Sequence, residues 1–399
     1  MLHTMKLLAI ETSCDETSLS LFTATDTAFG VDFTVHNTLT QSQIDVHQEF
    51  GGVFPKLAKR EHQKNLVPLL LKILEANEIS GSSTDTHPEI EKILEREPEL
   101  MTSFKEYVLQ INNPGIDAIC VTSGPGLEPA LWVGISFAKA LGLLWNIPVI
   151  PVNHMEGHIV SVLVPETNSV QDNSFSVHTE PFPFPALALL ISGGHTELVL
   201  VRAIGDYAII GKTRDDAVGE AFDKVARILG LPYPGGPEVS KLALKHDKTT
   251  LSEIVLPRPM IHSKDYDFSF SGLKTAVLYT VRDIKEKHSN TIPEQYAITI
   301  AYEFQESAAE VITKKTITAI NDLGVQTLIV GGGVSANNRI KELLTQKASK
   351  IIDPKNIYFP TRELTGDNAL MIGLAGYFKI KKAPDTVYND IRANGNLIF

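Results

Sequence analysis

Two stretches of the chain share one pattern, an apolar arm, a short polar turn and a second apolar arm. Leu7–Phe22 reads Leu-Leu-Ala-Ile-Glu-Thr-Ser-Cys-Asp-Glu-Thr-Ser-Leu-Ser-Leu-Phe, and Ala188–Val201 reads Ala-Leu-Leu-Ile-Ser-Gly-Gly-His-Thr-Glu-Leu-Val-Leu-Val. Such arms predict paired strands around a turn. Two further stretches, Ala118–Gly126 and Leu328–Asn337, run from an apolar arm into a glycine-containing loop and then an amphipathic segment, the order strand, loop, helix. The separation of Ile10 from Ile191 is close to that of Gly124 from Gly331, which suggests duplicated α/β lobes. Helical periodicity covers Val53–Asn77, Leu131–Trp145, Asp216–Leu229 and Ile298–Asn321. The expected division is an N-terminal lobe over 1–150, with a segment of about 368–399 packing back on it, and a C-terminal lobe over 151–367. Two stretches read as decorations. Residues 78–115 combine a Ser/Gly/Thr-rich run with a charged Glu89–Glu99 patch and room for a short helix, and residues 165–185 read as an exposed loop ending in Pro-Phe-Pro-Phe-Pro.

Composition narrows the class. At 399 residues, 43% hydrophobic and 21% charged, the chain is expected to be globular, with room for one large core or two ordinary ones. Its longest apolar runs fall far short of the roughly 18 residues that cross a bilayer. The opening residues lack the pattern of a signal peptide, and Cys14 and Cys120 cannot form a disulfide framework, so a reducing cytoplasm is expected. The net charge of −11 argues against a general nucleic-acid coat protein, so any RNA contact has to be local. Lys56, Lys59, Arg60 and Lys64 recur at helical spacing and form a candidate basic stripe, equally readable as a solvated helix face.

Several residues have the chemistry of a site. Ser192-Gly-Gly-His-Thr196 is a turn whose backbone N–H groups can approach an anion closely, although an ordinary hairpin would look the same. Gly331-Gly-Gly-Val-Ser-Ala-Asn337 before a helix adds a second anion-type loop, and the two together favour nucleotide or acyl-nucleotide binding. His154-Met-Glu-Gly-His158 sets two imidazoles one helical turn apart, within reach of one metal ion. Glu156 does not occupy the base position of a His-Glu-x-x-His zinc protease. Asp367, in Thr365-Gly-Asp-Asn368 before an apolar helix, would complete a two-His, one-carboxylate set suited to Fe(II), with Zn(II) as second choice; the sequence alone does not bring it to the histidines. Asp15 and Glu16 follow the first strand and can position a ligand or accept a proton, while helix capping is the plainer reading of Asp15.

Taken in order, Ile10-Glu-Thr-Ser-Cys-Asp-Glu-Thr17, Asn153-His-Met-Glu-Gly-His158, Ile191-Ser-Gly-Gly-His-Thr196, Gly219-Glu-Ala-Phe-Asp-Lys224, Tyr233-Pro-Gly-Gly-Pro237, Phe268-Ser-Phe-Ser-Gly-Leu-Lys274 and Gly332-Gly-Val-Ser-Ala-Asn337 resemble the TsaD family of universal tRNA N6-adenosine threonylcarbamoyltransferases. The resemblance runs from about residue 6 to residue 380. It implies the duplicated actin/Hsp70/sugar-kinase (ASKHA) fold, with two lobes around a cleft. It places His154, His158 and Asp367 on a metal, Leu190, Ile191, Ser192, Gly193 and Gly194 at the substrate with Asp223, Gly236 and Asn337, and Asp15 and Glu16 beside the metal as catalytic residues. The implied reaction transfers the threonylcarbamoyl group of threonylcarbamoyl-adenylate to adenosine 37 of tRNAs reading codons that begin with A. The implied partners are a paralogous subunit of the same fold and a P-loop ATPase in bacteria, with other assemblies in other lineages. Two departures bear on how partners dock: the long 78–115 and 165–185 stretches, and Thr361-Arg-Glu-Leu-Thr-Gly-Asp-Asn368, which differs around its aspartate from the commoner Cys/Tyr-Thr-Asp-Asn pattern. Rival readings are a metalloprotease, weakened by the missing base, a sugar or acetate kinase on the same fold, and a non-catalytic scaffold, which does not require the intact ligand set.

Overall fold

The computed structural model describes residues 4–75, 87–164, 175–180, 182–247, 254–388 and 390–399. The chain divides into two compact units, one made of Met1–His47, Val53–Pro181 and Asp367–Phe399, the other of Gln48–Gly52 and Phe182–Gly366.

The first unit is built on a six-stranded sheet of β1 (Thr4–Glu11), β2 (Glu16–Asp26), β3 (Val31–Ser42), β4 (Ala118–Gly124), β5 (Val149–Asn153) and β6 (Phe175–Thr179), in the order β5-β4-β1-β2-β3-β6. β1 pairs antiparallel with β2, Ile10 opposite Leu19, and parallel with β4, Ile10 beside Val121. Leu7 to Ile10 are fully buried, as a central strand covered on both faces requires. Alternation then divides the side chains. Leu8 and Ile10 join a core with α1 (Pro55–Ile73) and α2 (Glu128–Trp145). Ala9 faces α9 (Ala369–Lys382), where a Cβ at Gly373 would lie 3.1 Å from the Ala9 Cβ and one at Gly376 only 2.3 Å from the Cys120 sulfur. Glycine at these two positions lets α9 lie close against the sheet.

The second unit holds β7 (Ala186–Ile191), β8 (Thr196–Ala203), β9 (Asp206–Lys212), β10 (Thr327–Gly331) and β11 (Ile357–Tyr358) in the order β11-β10-β7-β8-β9. Counted from its own first strand, this is the order of the first unit without β6. The repeat of hairpin and strand-loop-helix units is therefore a true duplication of architecture, the two-lobe α/β plan of the actin/Hsp70/sugar-kinase class. Its core is covered by α4 (Val218–Leu229), α5 (Gly235–Ala243), α6 (Ser271–Lys287), α7 (Glu294–Leu323) and α8 (Asn338–Ala348), with Phe222 of α4 edge-on to Phe304 of α7 at 4.9 Å. α4 and α7 both stop at a glycine in the left-handed region, Gly230 and Gly324, which frees the chain to turn back.

The two expected decorations differ from the reading of the sequence where the structure describes them. Residues 76–86 lie outside the described residues, but Pro88–Leu94 and Pro98–Ser103 are short helices whose Ile90, Leu94 and Leu100 enter the first core, followed by Phe104, edge-on to Phe137 at 6.0 Å. Of the expected exposed loop, residues 165–174 and 181 lie outside the described residues, while Phe175–Thr179 is strand β6, paired with β3 from Val31 to Val35. Phe-Ser-Val-His-Thr alternates with the period of a strand, a signal overshadowed in the sequence by the proline-rich flank.

Candidate active site

β5 ends where α3 (His154–Val160) begins, and the Asn153 side chain accepts a hydrogen bond from the Met155 N–H at 2.8 Å to cap the helix. His154 and His158 therefore share one helix face, with ring centroids 4.7 Å apart. Asp367 immediately precedes Asn368, which caps α9 by accepting from the Met371 N–H at 3.0 Å. α3 and α9 meet at Gly157, where a Cβ would stand 3.0 Å from the Met371 side chain. That contact brings the carboxylate to the imidazoles. The Asp367 Oδ1 lies 3.3 Å from the His154 Nε2 and 3.4 Å from the His158 Nε2.

These separations suit a cation. Ligand atoms held tetrahedrally about 2.1 Å from a metal stand roughly 3.4 Å apart. The His158 Nδ1 is buried without a hydrogen-bond partner among the described residues, and its Nε2 has only the long contact to Asp367, a poorly satisfied state that coordination of Nε2 would relieve. The electrostatics of the ion-free cluster point the same way. Burial disfavours charge on His154, but the Asp367 and Glu11 carboxylates outweigh it and hold the imidazole well above the usual histidine range. Burial pushes His158 down. Burial also opposes the charge of Asp367, yet His154 and His158 hold its carboxyl well below the ordinary aspartate value.

Behind the triad stands Glu11, fully buried at the end of β1, which the sequence reading passed over. Its Oε2 accepts from the His154 Nδ1 at 3.1 Å and from the Thr122 hydroxyl, and its Oε1 accepts from the Ser13 N–H. A proton on Nδ1 leaves the Nε2 lone pair aimed at the metal position. The available signal was a charged residue closing an apolar strand, in Ile10-Glu-Thr.

Asp15 lies in the turn after β1 and Glu16 opens β2. Neither belongs to the convergent group. Burial, and then the charges of Asp15 and Asp367, raise the Glu16 carboxyl well above its usual range, so Glu16 shares an electrostatic neighbourhood with the triad.

In the second unit Leu190 and Ile191 close β7, and Ser192 to His195 form the turn to β8. The Ser192 N–H donates to the His195 carbonyl at 2.9 Å and the His195 N–H to the Ser192 hydroxyl at 3.1 Å. A Cβ at Gly193 or Gly194 would meet nothing within 4 Å, so an incoming group has open access to this backbone. Gly332, at φ +88°, lies against the Ile191 carbonyl too closely for any side chain. Asp223 on α4 accepts the Gly235 N–H at 2.7 Å; burial raises its carboxyl, opposed by the amides of Gly235 and Gly236. Asn337 does not present a free amide. Its Oδ1 caps α8 by accepting from the Ile340 N–H, and its Nδ2 donates to the Ser240 hydroxyl at 3.0 Å and to Gln305 at 3.1 Å. Thus α5 touches both Asp223, through Gly235, and Asn337, through Ser240.

Three of the four cations of the basic stripe on α1 are paired within the chain. Lys59 pairs with Glu97 at 3.1 Å, Arg60 with Glu99 at 3.3 Å and Lys64 with Glu61 at 2.6 Å. Lys59 and Arg60 thus fasten the segment after residue 86 to α1, rather than forming an unopposed RNA-facing row.

The sequence matches the family model described as TsaD: tRNA N6-adenosine threonylcarbamoyltransferase over residues 34–86 and 99–374. The chain belongs to this family. The matched span of the TsaD model contains His154, His158 and Asp367 and both glycine loops. Proteins named tRNA N6-adenosine threonylcarbamoyltransferase from Paraburkholderia xenovorans (strain LB400) and Herminiimonas arsenicoxydans are similar to this chain. The first is 41% identical over 96% of this chain and 94% of its own length, the second 39% identical over 98% and 96%. Among solved structures, full-length HypF in the phosphate- and nucleotide-bound form aligns with 96% of this chain and 47% of its own at 11% identity and a TM-score of 0.49. Among the described residues no helix of this TsaD-family chain is long and apolar enough to cross a membrane.

Proposed function

We propose that this chain is a metal-dependent tRNA N6-adenosine threonylcarbamoyltransferase. It moves the threonylcarbamoyl group from threonylcarbamoyl-adenylate to N6 of adenosine 37 in tRNAs reading codons that begin with A. The observation that carries the reading is the convergence of His154, His158 and Asp367, one ligand atom from each within 4.8 Å of the others, in a chain of this family.

Fe(II) is the first choice of ion and Zn(II) the second, because two imidazoles and one carboxylate leave coordination positions open. When bound, the ion supplies Lewis-acid polarisation of the carbamoyl oxygen and a fixed point for the threonyl group. The N6 amine attacks the carbamoyl carbon, the bond from that carbon to the phosphate oxygen breaks, and AMP departs with the electron pair. The amine proton passes to the acidic pair. Glu16, which opens β2 in the electrostatic neighbourhood of the triad, is the acceptor in its ionised form, and Asp15 orients it. Gly193 and Gly194 hold the adenylate phosphate through backbone N–H groups, and Asp223 and Gly236 take the nucleoside. A paralogous subunit of the same fold and a P-loop ATPase complete the machinery in a cytoplasmic setting.

The test combines the purified protein and its partners with a threonylcarbamoyl-adenylate synthase, threonine, bicarbonate, ATP and unmodified tRNA. Digestion and mass analysis should reveal threonylcarbamoyladenosine, and metal content and product should both vanish in His154→Ala and Asp367→Ala. Unmodified tRNA in the presence of accumulating adenylate refutes the activity; full metal content in a folded His154→Ala/His158→Ala variant refutes the metal assignment.

A further inference from the structure

His62 lies on α1, away from the metal ligands in sequence, and is fully buried in a polar network that neither the triad nor the glycine loops use. Its Nε2 stands 3.0 Å from the Cys14 carbonyl oxygen, and its Nδ1 stands 2.8 Å from the Thr17 hydroxyl and 3.2 Å from the Gln43 amide nitrogen. A carbonyl only accepts, so Nε2 carries the proton and Nδ1 accepts. Gln43, itself buried, takes the Asp15 carbonyl through its backbone N–H at 2.8 Å and the His47 ring through its Oε1 at 3.2 Å. The turn between β1 and β2 is therefore gripped at Cys14, at Asp15 and at Thr17. Those grips bracket Glu16.

We propose that His62 is a positioning residue for the acidic turn: its two ring nitrogens, acting from α1 on the Cys14 carbonyl and the Thr17 hydroxyl, hold Asp15 and Glu16 in one arrangement. The proposal rests on the catalytic reading of those two carboxylates. Burial lowers the His62 pKa to about 4, so the ring stays neutral, and its donor and acceptor stay assigned, at physiological pH. A proton-accepting carboxylate displaced by a fraction of an ångström loses rate rather than binding, because its contact matters only as the amine reacts. The loss therefore falls on kcat and leaves the KM for tRNA in place.

Two amides separate positioning from packing. In His62→Gln the side-chain nitrogen reaches about as far as Nε2 and can still donate to the Cys14 carbonyl; in His62→Asn the side chain ends near Nδ1 and that bond is gone. With full-length protein and its partners, His62→Asn should lower kcat roughly ten- to a hundredfold with metal content and tRNA KM unchanged. His62→Gln should recover to within a few fold of the parent. Equal losses in the two variants, tracking a shared fall in Tm, would overturn the proposal, as would an unchanged kcat in folded His62→Asn. A readout independent of transfer is amide hydrogen exchange over residues 14–17, which should speed up at least about tenfold in His62→Asn while Glu128–Trp145 is unaffected. If the parent fails to modify tRNA, the functional reading falls by itself and the exchange result still decides whether His62 holds the turn.

Discussion

Replacing Glu11 by glutamine should weaken metal binding without unfolding the protein. The carboxylate takes three donors: the Ser13 N–H on one oxygen, and the Thr122 hydroxyl and the His154 Nδ1–H on the other. Glutamine has one acceptor oxygen and one NH2 group, so if the oxygen stays with His154 and Thr122, the NH2 is driven against the Ser13 N–H. A buried donor left facing a donor costs about 1–3 kcal/mol. The local remedy is to turn the amide, which takes the acceptor from His154 and frees its ring to rotate or change tautomer. Loss of such a partner typically lowers metal affinity 10- to 100-fold, or about 1.4–2.7 kcal/mol. The assay is competition for Zn(II) or Fe(II) with a chromogenic chelator, run beside thermal unfolding of the ion-free protein. The expected result is a weaker Kd by that factor with Tm lowered by only a few degrees. Unchanged affinity in folded Glu11→Gln would show that the His154 contact does not orient the ligand and would remove Glu11 from the site.

The ion-free pKa shifts give a signed pH dependence. Raised in the folded state, His154 contributes stability that is full below its unfolded value near 6.5 and is lost as pH rises through its folded value; Asp367, lowered, contributes stability above about 4 that is lost as pH falls through its folded value. An ion must displace the His154 proton, so calorimetry in buffers of different ionisation enthalpy should show proton release, with affinity still rising above pH 6.5, and binding without proton release contradicts this. Gly193→Val should leave Tm nearly unchanged, since nothing lies within 4 Å of the new Cβ, while weakening adenylate binding more than tRNA binding; equal losses count against the phosphate assignment. Asn337→Ala should instead lower stability by about 1 kcal/mol through loss of the α8 cap, measurable by denaturant unfolding, and an unchanged midpoint would contradict that role. Lys59→Glu/Arg60→Glu should loosen the Pro88–Ser103 segment towards proteolysis, because it leaves the nearly fully buried Glu97 without its cation; weakened tRNA binding with that segment still protected would restore the RNA-stripe reading.

Periodicity made the large elements legible because their apolar faces are continuous: α2 was expected over Leu131–Trp145 and forms over Glu128–Trp145, and α7 was expected over Ile298–Asn321 and forms over Glu294–Leu323. The ends were missed because caps decide them. The i, i+4 spacing of His154 and His158 was equally legible, since a helix fixes it. Their meeting with Asp367 was not, because that depends on how α9 packs on α3 at Gly157, a contact between residues far apart in sequence. Glu11 escaped for a related reason: a lone carboxylate in an apolar strand has no local explanation until His154, Thr122 and Ser13 are seen around it. The hydrogen bonds of Asn337 were not legible either, because Ser240 and Gln305, which its amide meets, are far away in sequence. The counter-charges of the stripe, Glu97 and Glu99, were out of reach for the same reason, since they lie in a segment read as an appendage.

The duplication accounts for how one architecture can serve opposite electrostatic tasks. β1 to β2 and β7 to β8 are the same hairpin in the two sheets, each paired on its far side with the strand of a strand-loop-helix unit. In the first unit the connection is Thr12-Ser-Cys-Asp15, with Glu11 before it and Glu16 after it; burial and then the neighbouring carboxylates raise the Glu16 carboxyl well above its usual range, and the carboxylates of Asp367 and Glu11 raise His154 despite its burial. In the second unit the equivalent connection is Ser192-Gly-Gly-His195, with no carboxylate and with Gly193 and Gly194 open to solvent. One turn concentrates negative charge, which a cation relieves; the other offers bare backbone, which an anion can approach. Because the strand order around each turn is the same, the difference lies in a few residues of the connection rather than in the scaffold. Exchanging Asp15 and Glu16 for glycines would therefore weaken the attraction of the first turn for a cation without removing a metal ligand, and would leave β1 and β2 paired, since their ladder joins Thr4–Glu11 to Ser18–Thr25 through backbone groups.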